Sequence, residues 1–146
     1  MIYAQGNIFD RLGHVDELVC ITTNSKTDRY GNLIMGAGIA LEAANRFPGL
    51  PAFLGTVAKV NERYLVQMCP NNIVAIQTKI HWKDPSEMVL LDSMLYLLSH
   101  LFRQTRYVVN LPRPGCGLGG LDWETQVKPL CEEYLSTDNF VIWSKA

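Results

Sequence analysis

Glycine-rich turns follow two strand-like runs, and each turn leads into a helical repeat. The first is NLIMGAGIALEAANRFPG, residues 32–49, and the second is NLPRPGCGLGGLDWETQV, residues 110–127. Because glycine has no Cβ, its backbone can approach a ligand closely, and the start of a helix presents unpaired N–H groups that favour an anion. Two such turns predict one ligand that carries two phosphates.

Strand-like and helix-like segments alternate along the chain. The strand-like runs are residues 1–5, 16–24, 64–69, 72–79, 106–112 and 139–144, with a β-hairpin turn at 70–72. The helix-like runs are residues 37–47, 85–104 and 122–135, and an exposed loop is expected at 25–34. This alternation predicts a three-layer α/β/α sandwich with a mixed, largely parallel sheet, in which ligands bind beyond the carboxyl ends of the strands. The length of 146 residues predicts a single domain, residues 1–146.

The longest helical repeat predicts a helix that faces the core. It opens with Pro85-Ser86, a typical helix-start signal. Its apolar residues recur with a period of 3.6, at Met88, Leu91, Leu95, Leu98 and Phe102.

Charge argues against a strongly basic nucleic-acid-binding protein. The chain has 13 basic and 14 acidic side chains, a net charge of −1. A local basic patch is still compatible with a neutral total. Residues that would form such a patch are Lys26, Arg29, Lys79, Lys83 and Arg113.

The four cysteines predict neither disulfides nor a metal site. Cys20, Cys69, Cys116 and Cys131 form no CxxC pair and no His-rich cluster, so we expect reduced thiols, no metal and no cofactor. Cys20 and Cys69 lie in strand-like runs and are expected as small buried hydrophobes. No apolar run reaches membrane length and no secretory segment follows Met1, so a cytoplasmic protein without membrane contact is expected.

Five stretches in this order resemble the macrodomain, an ADP-ribose-binding α/β/α module, over nearly the whole chain. They are GNIFD, the run that ends at Asn24, MGAGIALEAANRFPG, IQTKIHWKDPS and LPRPGCGLGGLDW. The Met-Gly-x-Gly loop, the Thr-Lys before a tryptophan-containing turn and the Gly-Cys-Gly loop followed by Trp resemble one branch most. That branch contains the antitoxin macrodomain of DNA-ADP-ribosylating toxin–antitoxin systems and the human terminal ADP-ribose protein glycohydrolase.

The resemblance implies a set of ADP-ribose contacts. Asn7 stands where many macrodomains have an Asp that accepts a hydrogen bond from adenine, Trp143 would stack on adenine, and Asn24 would face the distal ribose. Taken as residues alone, Asn24 also fits a cap of a helix or turn, and Trp143 fits a core or rim position. The implied ligand-binding residues are Asn7, Ile8, Asn24, Gly36, Ala37, Gly38, Ile39, Pro114, Gly115, Cys116, Gly117, Leu118, Gly119 and Trp143.

The resemblance also implies that Lys79 is catalytic, attacking or activating at the anomeric carbon of the distal ribose. An amine does this only when it is deprotonated. Without the resemblance, a lone lysine after a strand is usually a solvated side chain. Gly119 stands where the human glycohydrolase has an acidic residue, so a second catalytic carboxylate does not carry over. Asp122, three residues later, fits a side chain at a helix N-terminus better. The antitoxin branch resembles this pattern more than the human enzyme does, since it too has Gly-Gly-Leu-Asp-Trp.

The function implied is an ADP-ribosyl hydrolase that removes ADP-ribose from a modified nucleobase of DNA or from an acidic protein side chain. Two alternatives stay open at this point. One is a phosphatase acting on ADP-ribose-1''-phosphate, and the other is a non-catalytic ADP-ribose-binding module. The implied partners are ADP-ribose and ADP-ribosylated macromolecules, ADP-ribosylated DNA among them. The role of the loop at residues 25–33 is open.

Overall fold

The computed structural model describes residues 1–145, which contain a six-stranded sheet. The strands are β1 Ile2–Gln5, β2 Glu17–Thr23, β3 Val66–Met68, β4 Ile73–Gln77, β5 Val108–Pro112 and β6 Phe140–Ser144. Their order in the sheet is β1-β6-β5-β2-β4-β3. Neighbouring strands are parallel except for β3, which pairs antiparallel with β4 as the predicted hairpin. The predicted mixed, largely parallel sheet is therefore confirmed.

Helices cover both faces of the sheet and bury a separate apolar core on each. The helices are α1 Gly38–Arg46, α2 Leu50–Val60, α3 Met88–Phe102, the π-helical turn Trp123–Val127 and α4 Lys128–Tyr134. One core lies under α3, α4 and the π-helical turn, and the other lies under α1, α2 and the 3-10 turn at Ile8–Arg11. The predicted three-layer α/β/α sandwich is thereby confirmed.

The helix α3 faces the core as predicted. Leu91, Leu95 and Leu98 are completely buried, and burying each such side chain stabilises the fold by about 1.5–3 kcal/mol. The predicted start of this helix is wrong, however. The helix begins at Met88, and the Ser86 hydroxyl does not cap it. The backbone N–H of Ser86 donates instead to Gly119 O at 2.9 Å, which holds Ser86 outside the helix.

The sequence analysis missed α2. The Pro48-Gly49 stop is real, but the chain starts a new helix at once, with Leu50 and Leu54 buried four residues apart. Gly55 in the middle of α2 weakens the helical signal. The tertiary structure explains this glycine, because a Cβ at Gly55 would collide with the backbone oxygen of Gly31.

The loop at residues 25–34 is more ordered than an exposed loop. Thr27 bridges to Leu33, and Asp28 Oδ1 accepts hydrogen bonds from the backbone N–H groups of Tyr30 and Asn32 at 2.9 and 3.0 Å. Leu33 is buried, while the tip of the loop is exposed. The close contact with α2 described above anchors this loop to the fold.

All four cysteines are free thiols in the structure. Cys20 is fully buried, as expected, but Cys69 is only half-buried because it lies in the turn just after β3. None of the helices formed by residues 1–145 has the length and apolar character needed to cross a bilayer.

Candidate functional site

Two cavities lie side by side at the carboxyl edge of the sheet. A small compartment of about 490 Å³ lies against residues 6–9, and a groove of about 1470 Å³ runs between the two glycine-rich turns. Both cavities are lined by Gly38, Ile39, Pro112 and Trp143, so the two share one wall. Their position beyond the strand ends is the place at which such sheets bind ligands.

The structure brings almost all of the expected site residues to this cleft. Asn7 and Ile8 line the small compartment, and Trp143 lines both cavities. The exception is Pro114, which is buried behind the second turn and lines neither cavity. The expected residues that line the groove are Asn24, Gly36, Ala37, Gly38, Ile39, Lys79, Gly115, Cys116, Gly117, Leu118, Gly119 and Trp143.

The glycines of the two turns differ in what surrounds them. A Cβ added at Gly36, Gly38 or Gly117 would meet nothing within 4 Å, so these positions leave room at the cleft. Gly38 begins α1 with φ +58°, and its N-cap residue, Ala37, provides no side-chain hydrogen bond. The first N–H groups of α1 are therefore not capped by the Ala37 side chain, and their binding of an anion stays a prediction.

Gly115 and Gly119 instead make room for Ser86. A Cβ at Gly119 would collide with Ser86 Oγ and lie 2.6 Å from the carbonyl oxygen of Gly115. A Cβ at Gly115 would lie 2.9 Å from Leu121 Cδ1. Any side chain at residue 119, an acidic one included, is therefore sterically excluded in this packing, which accounts for the missing carboxylate.

Lys79 lies in a loop whose backbone is hydrogen-bonded on both sides of it, at Thr78 and at Ile80. The Ser25 N–H donates to Ile80 O at 2.9 Å and the Glu87 N–H donates to Thr78 O at 3.0 Å. The side chain of Lys79 is half-buried in the groove, and no carboxylate within residues 1–145 forms an ion pair with it. Its amine is therefore held near the glycine-rich turns without a neutralising partner.

Asn24 has the turn-stabilising role that the sequence left open. Its Nδ2 donates to Ile34 O at 2.9 Å, and its Oδ1 accepts from the Lys26 N–H at 2.7 Å. The Tyr64 hydroxyl donates to the Asn24 backbone oxygen at 2.7 Å. Asn24 thus ties the end of β2 to the segment that enters the first glycine-rich turn, and its proposed contact with a ribose stays a prediction.

Asn7 caps the 3-10 turn that follows it. Its Oδ1 accepts a hydrogen bond from the Phe9 N–H at 3.0 Å. One of the two lone pairs of this amide oxygen is therefore used within the turn, and the other lone pair and the NH₂ group stay available to a ligand. The expected hydrogen bond from adenine stays a prediction.

The groove is locally basic although the chain carries a net charge of −1. Three of the five expected basic residues, Lys79, Lys83 and Arg113, line it together with Lys145, against one carboxylate, Asp122. Lys26 and Arg29 of the expected patch line neither cavity, because they lie on the loop that packs on α2. This charge distribution favours an anionic ligand.

Shifted pKa values argue against a general-acid role for one side chain of the groove and against a thiolate role for another. Hydrogen bonds from the Thr125 hydroxyl and backbone N–H, at 2.6 and 2.8 Å, hold the pKa of Asp122 below its usual range. An ionised capping carboxylate is not a general acid. Burial raises the pKa of Cys116 to about 11, so this residue is a neutral thiol rather than a nucleophile near neutral pH.

We expect Asp122→Asn to keep substrate turnover within a few-fold of the parent protein. Asparagine caps a helix about as well as aspartate, so the π-helical turn keeps its cap while the charge is lost. Turnover and thermal melting of the two proteins measure this. A loss of turnover by orders of magnitude in a protein that melts normally would instead make Asp122 a catalytic carboxylate.

Several cleft residues were not singled out from the sequence. Trp82 is 45% exposed at the groove, with Lys83 Nζ 5.3 Å from its ring centroid. Ser86 lies under the second turn, and Glu42 lines the small compartment. The position of Trp82 three residues after Lys79 was a usable signal, whereas nothing local distinguishes Ser86 or Glu42. The described residues contain no group of three or more His, Cys, Asp or Glu that could hold a metal ion.

Comparison with known proteins gives a consistent result. No family model matches the chain. A DNA ADP-ribosyl glycohydrolase from Mycobacterium tuberculosis is 33% identical over 101 residues, which cover 62% of this chain and 29% of that protein. The chain therefore spans less than a third of the length of that relative. The human ADP-ribose glycohydrolase OARD1 is 28% identical over 142 residues, covering 93% of this chain and 85% of that protein.

A solved structure extends the similarity to the whole fold. The macrodomain of Mycobacterium tuberculosis DarG superposes with a TM-score of 0.75 at 26% identity, covering 99% of this chain and 97% of that chain. The chain therefore has the macrodomain fold, with sequence similarity to a DNA ADP-ribosyl glycohydrolase and to OARD1.

Proposed function

We propose that this chain is an ADP-ribosyl hydrolase that removes ADP-ribose from a modified nucleobase of DNA by a lysine-dependent mechanism. The observation that carries the proposal is the position of the half-buried Lys79, without an ion-pair partner among residues 1–145, in a basic groove between two glycine-rich turns. The names of the relatives, a DNA ADP-ribosyl glycohydrolase and an ADP-ribose glycohydrolase, support the same reaction class.

In this proposal the two turns hold the diphosphate and Lys79 acts on the distal ribose. The backbone N–H groups at the start of α1 and of the second turn bind the phosphate oxygens. Lys79 Nζ then either attacks the anomeric carbon, so that a C–N bond forms as the bond to the acceptor breaks and water later releases ADP-ribose from the lysine, or takes a proton from a water that attacks this carbon and displaces the acceptor. Because backbone hydrogen bonds hold Thr78 and Ile80, the backbone that carries Lys79 is fixed beside the groove before a substrate binds.

The end of the groove beyond Lys79 supports a nucleobase as the acceptor. Trp82 is 45% exposed there, with Lys83 Nζ 5.3 Å from its ring centroid, whereas Arg113 lines the same groove over the Trp123 ring. An exposed aromatic ring beside a cation suits a stacked base with its adjoining phosphates. An acidic protein side chain is the competing acceptor, and it has no aromatic ring that could stack on Trp82.

Three substrates offered side by side test the proposal. The protein is incubated with a single-stranded DNA oligonucleotide ADP-ribosylated on a base, with a protein ADP-ribosylated on acidic residues, and with ADP-ribose-1''-phosphate. We expect release of ADP-ribose from the oligonucleotide at the highest rate. A matched Trp82→Ala variant should lose rate on the oligonucleotide more than on the modified protein.

Each alternative has its own result. Faster release from the modified protein would assign an acidic side chain as the acceptor. Release of phosphate from ADP-ribose-1''-phosphate alone would assign a phosphatase. Tight binding of ADP-ribose without turnover of any of the three would make the chain a binding module.

A further inference from the structure

A line of buried polar side chains runs beneath the Trp143 indole. Trp143 Nε1 donates to Asn110 Oδ1 at 2.8 Å, and Asn110 Nδ2 donates to Glu17 Oε1 at 3.2 Å and to Leu18 O at 3.1 Å. Asn110 is 1% exposed. A fully bonded polar side chain in the centre of a sheet has a specific geometric role, because each lost partner leaves a buried group unpaired.

The orientation of the Asn110 amide follows from its partners. The indole N–H is only a donor, so it requires the amide oxygen. The Glu17 carboxylate and the Leu18 carbonyl are acceptors, so they require the NH₂ group. The reversed amide would lose all three hydrogen bonds, and Asn110 therefore has one favoured orientation.

Glu17 continues this line to the turn Ile8–Arg11, whose residues Ile8 and Phe9 also line the small compartment. Arg11 donates to Glu17 through Nε at 3.1 Å and also through Nη2, and His14 Nδ1 lies 3.9 Å from Glu17 Oε2. The hydrogen bonds from Arg11 hold the pKa of Glu17 below its usual range, so its carboxylate stays an acceptor near neutral pH. Arg11 is the last residue of the turn Ile8–Arg11.

Two walls of the small compartment are thus joined from below. Trp143 forms one wall, and Ile8 and Phe9 of the turn form the other. Asn110 and Glu17 join these walls but line neither cavity. We propose that Asn110 and Glu17 are positioning residues that hold the Trp143 ring at a fixed distance from the turn, preforming a slot for a planar aromatic group of the ligand.

This inference rests on the proposed function for the identity of the ligand, ADP-ribose, whose only planar aromatic group is its base. Preforming the slot removes an ordering cost from binding. The prediction is that Asn110→Ala weakens binding of ADP-ribose although residue 110 touches no ligand.

A matched control exists at the other edge of the sheet. Asn139 likewise makes three hydrogen bonds, because its Nδ2 donates to Phe102 O at 2.8 Å and Tyr107 O at 3.1 Å and its Oδ1 accepts from the Thr137 hydroxyl at 2.6 Å, and this residue lines neither cavity. We expect calorimetry to show affinity for ADP-ribose about tenfold weaker in Asn110→Ala, as for one lost hydrogen bond, and unchanged in Asn139→Ala. Equal losses in both variants would overturn the proposal.

A double-mutant cycle with Trp143→Phe separates positioning from general destabilisation. Phenylalanine keeps an aromatic ring but has no N–H, so the link to Asn110 is already broken in this variant. Adding Asn110→Ala should then cost much less affinity than it costs in the parent protein. Additive losses would mean that Asn110 does not act through Trp143.

A measurement without ligand keeps this test independent of the proposed function. In a ¹⁵N-correlated NMR spectrum, the indole N–H signal of Trp143 is identified by its loss in Trp143→Phe. We expect that signal to move and to exchange faster with solvent in Asn110→Ala, and to stay in place in Asn139→Ala. An unmoved signal would overturn the positioning role, whereas failure of the parent protein to bind ADP-ribose would overturn the proposed ligand.

Discussion

Lys79→Ala is expected to lower turnover of an ADP-ribosylated substrate by orders of magnitude while affinity for free ADP-ribose stays within a few-fold of the parent. A catalytic amine that meets the ribose mainly in the transition state contributes little to ground-state binding. The half-buried Lys79 has no ion pair within the described part of the chain, so its removal leaves no carboxylate uncompensated. Single-turnover kinetics and calorimetry on the same preparations measure the two quantities.

Lys79→Arg and Lys83→Ala complete this experiment. Arginine keeps the positive charge but stays protonated, so it supplies neither nucleophile nor base, and Lys79→Arg should fail like Lys79→Ala. Lys83 lines the same groove, so Lys83→Ala controls for the loss of one positive charge and should retain turnover at saturating substrate. Near-parent turnover by Lys79→Arg would reduce Lys79 to an electrostatic contact with the ligand.

Gly38→Glu is expected to abolish detectable binding of ADP-ribose. Gly38 lines both cavities, and a side chain there would extend from a position with nothing within 4 Å. The backbone at φ +58° disfavours any residue with a Cβ, and the added carboxylate would repel the phosphates at the start of α1. Calorimetric titration with ADP-ribose measures the loss.

Two further variants separate the causes. Gly38→Ala introduces the backbone strain without the charge and should bind more weakly than the parent but more tightly than Gly38→Glu. Gly49 precedes α2, lines neither cavity and has open space at its Cβ position, so Gly49→Glu is the matched control and should bind normally. Unchanged binding by Gly38→Glu would remove the first glycine-rich turn from the ligand site.

The local pattern of the sequence determined the layers of the fold and the two turns. The 3.6-residue repeat of apolar residues in α3 predicts a helix, and the β-branched run of β2 predicts a strand. Both predictions succeed because each pattern is a local property of its own segment. Glycines that follow a strand-like run likewise predict a turn. Lys79 was found from its neighbours Thr78 and Trp82, through a resemblance rather than through chemistry visible in the sequence.

Only the tertiary structure decided which residues meet across the sheet. Trp143, Asn110 and Glu17 are far apart in the chain and become neighbours because β6, β5 and β2 lie side by side in parallel. At Gly119 a side chain would collide with Ser86, which packs against it. At Gly55, which interrupts the apolar pattern of α2, a side chain would collide with the backbone of Gly31. In each case the constraint is steric or hydrogen-bonded contact between distant segments, which leaves no period or local motif in the sequence because it depends on where other elements pack.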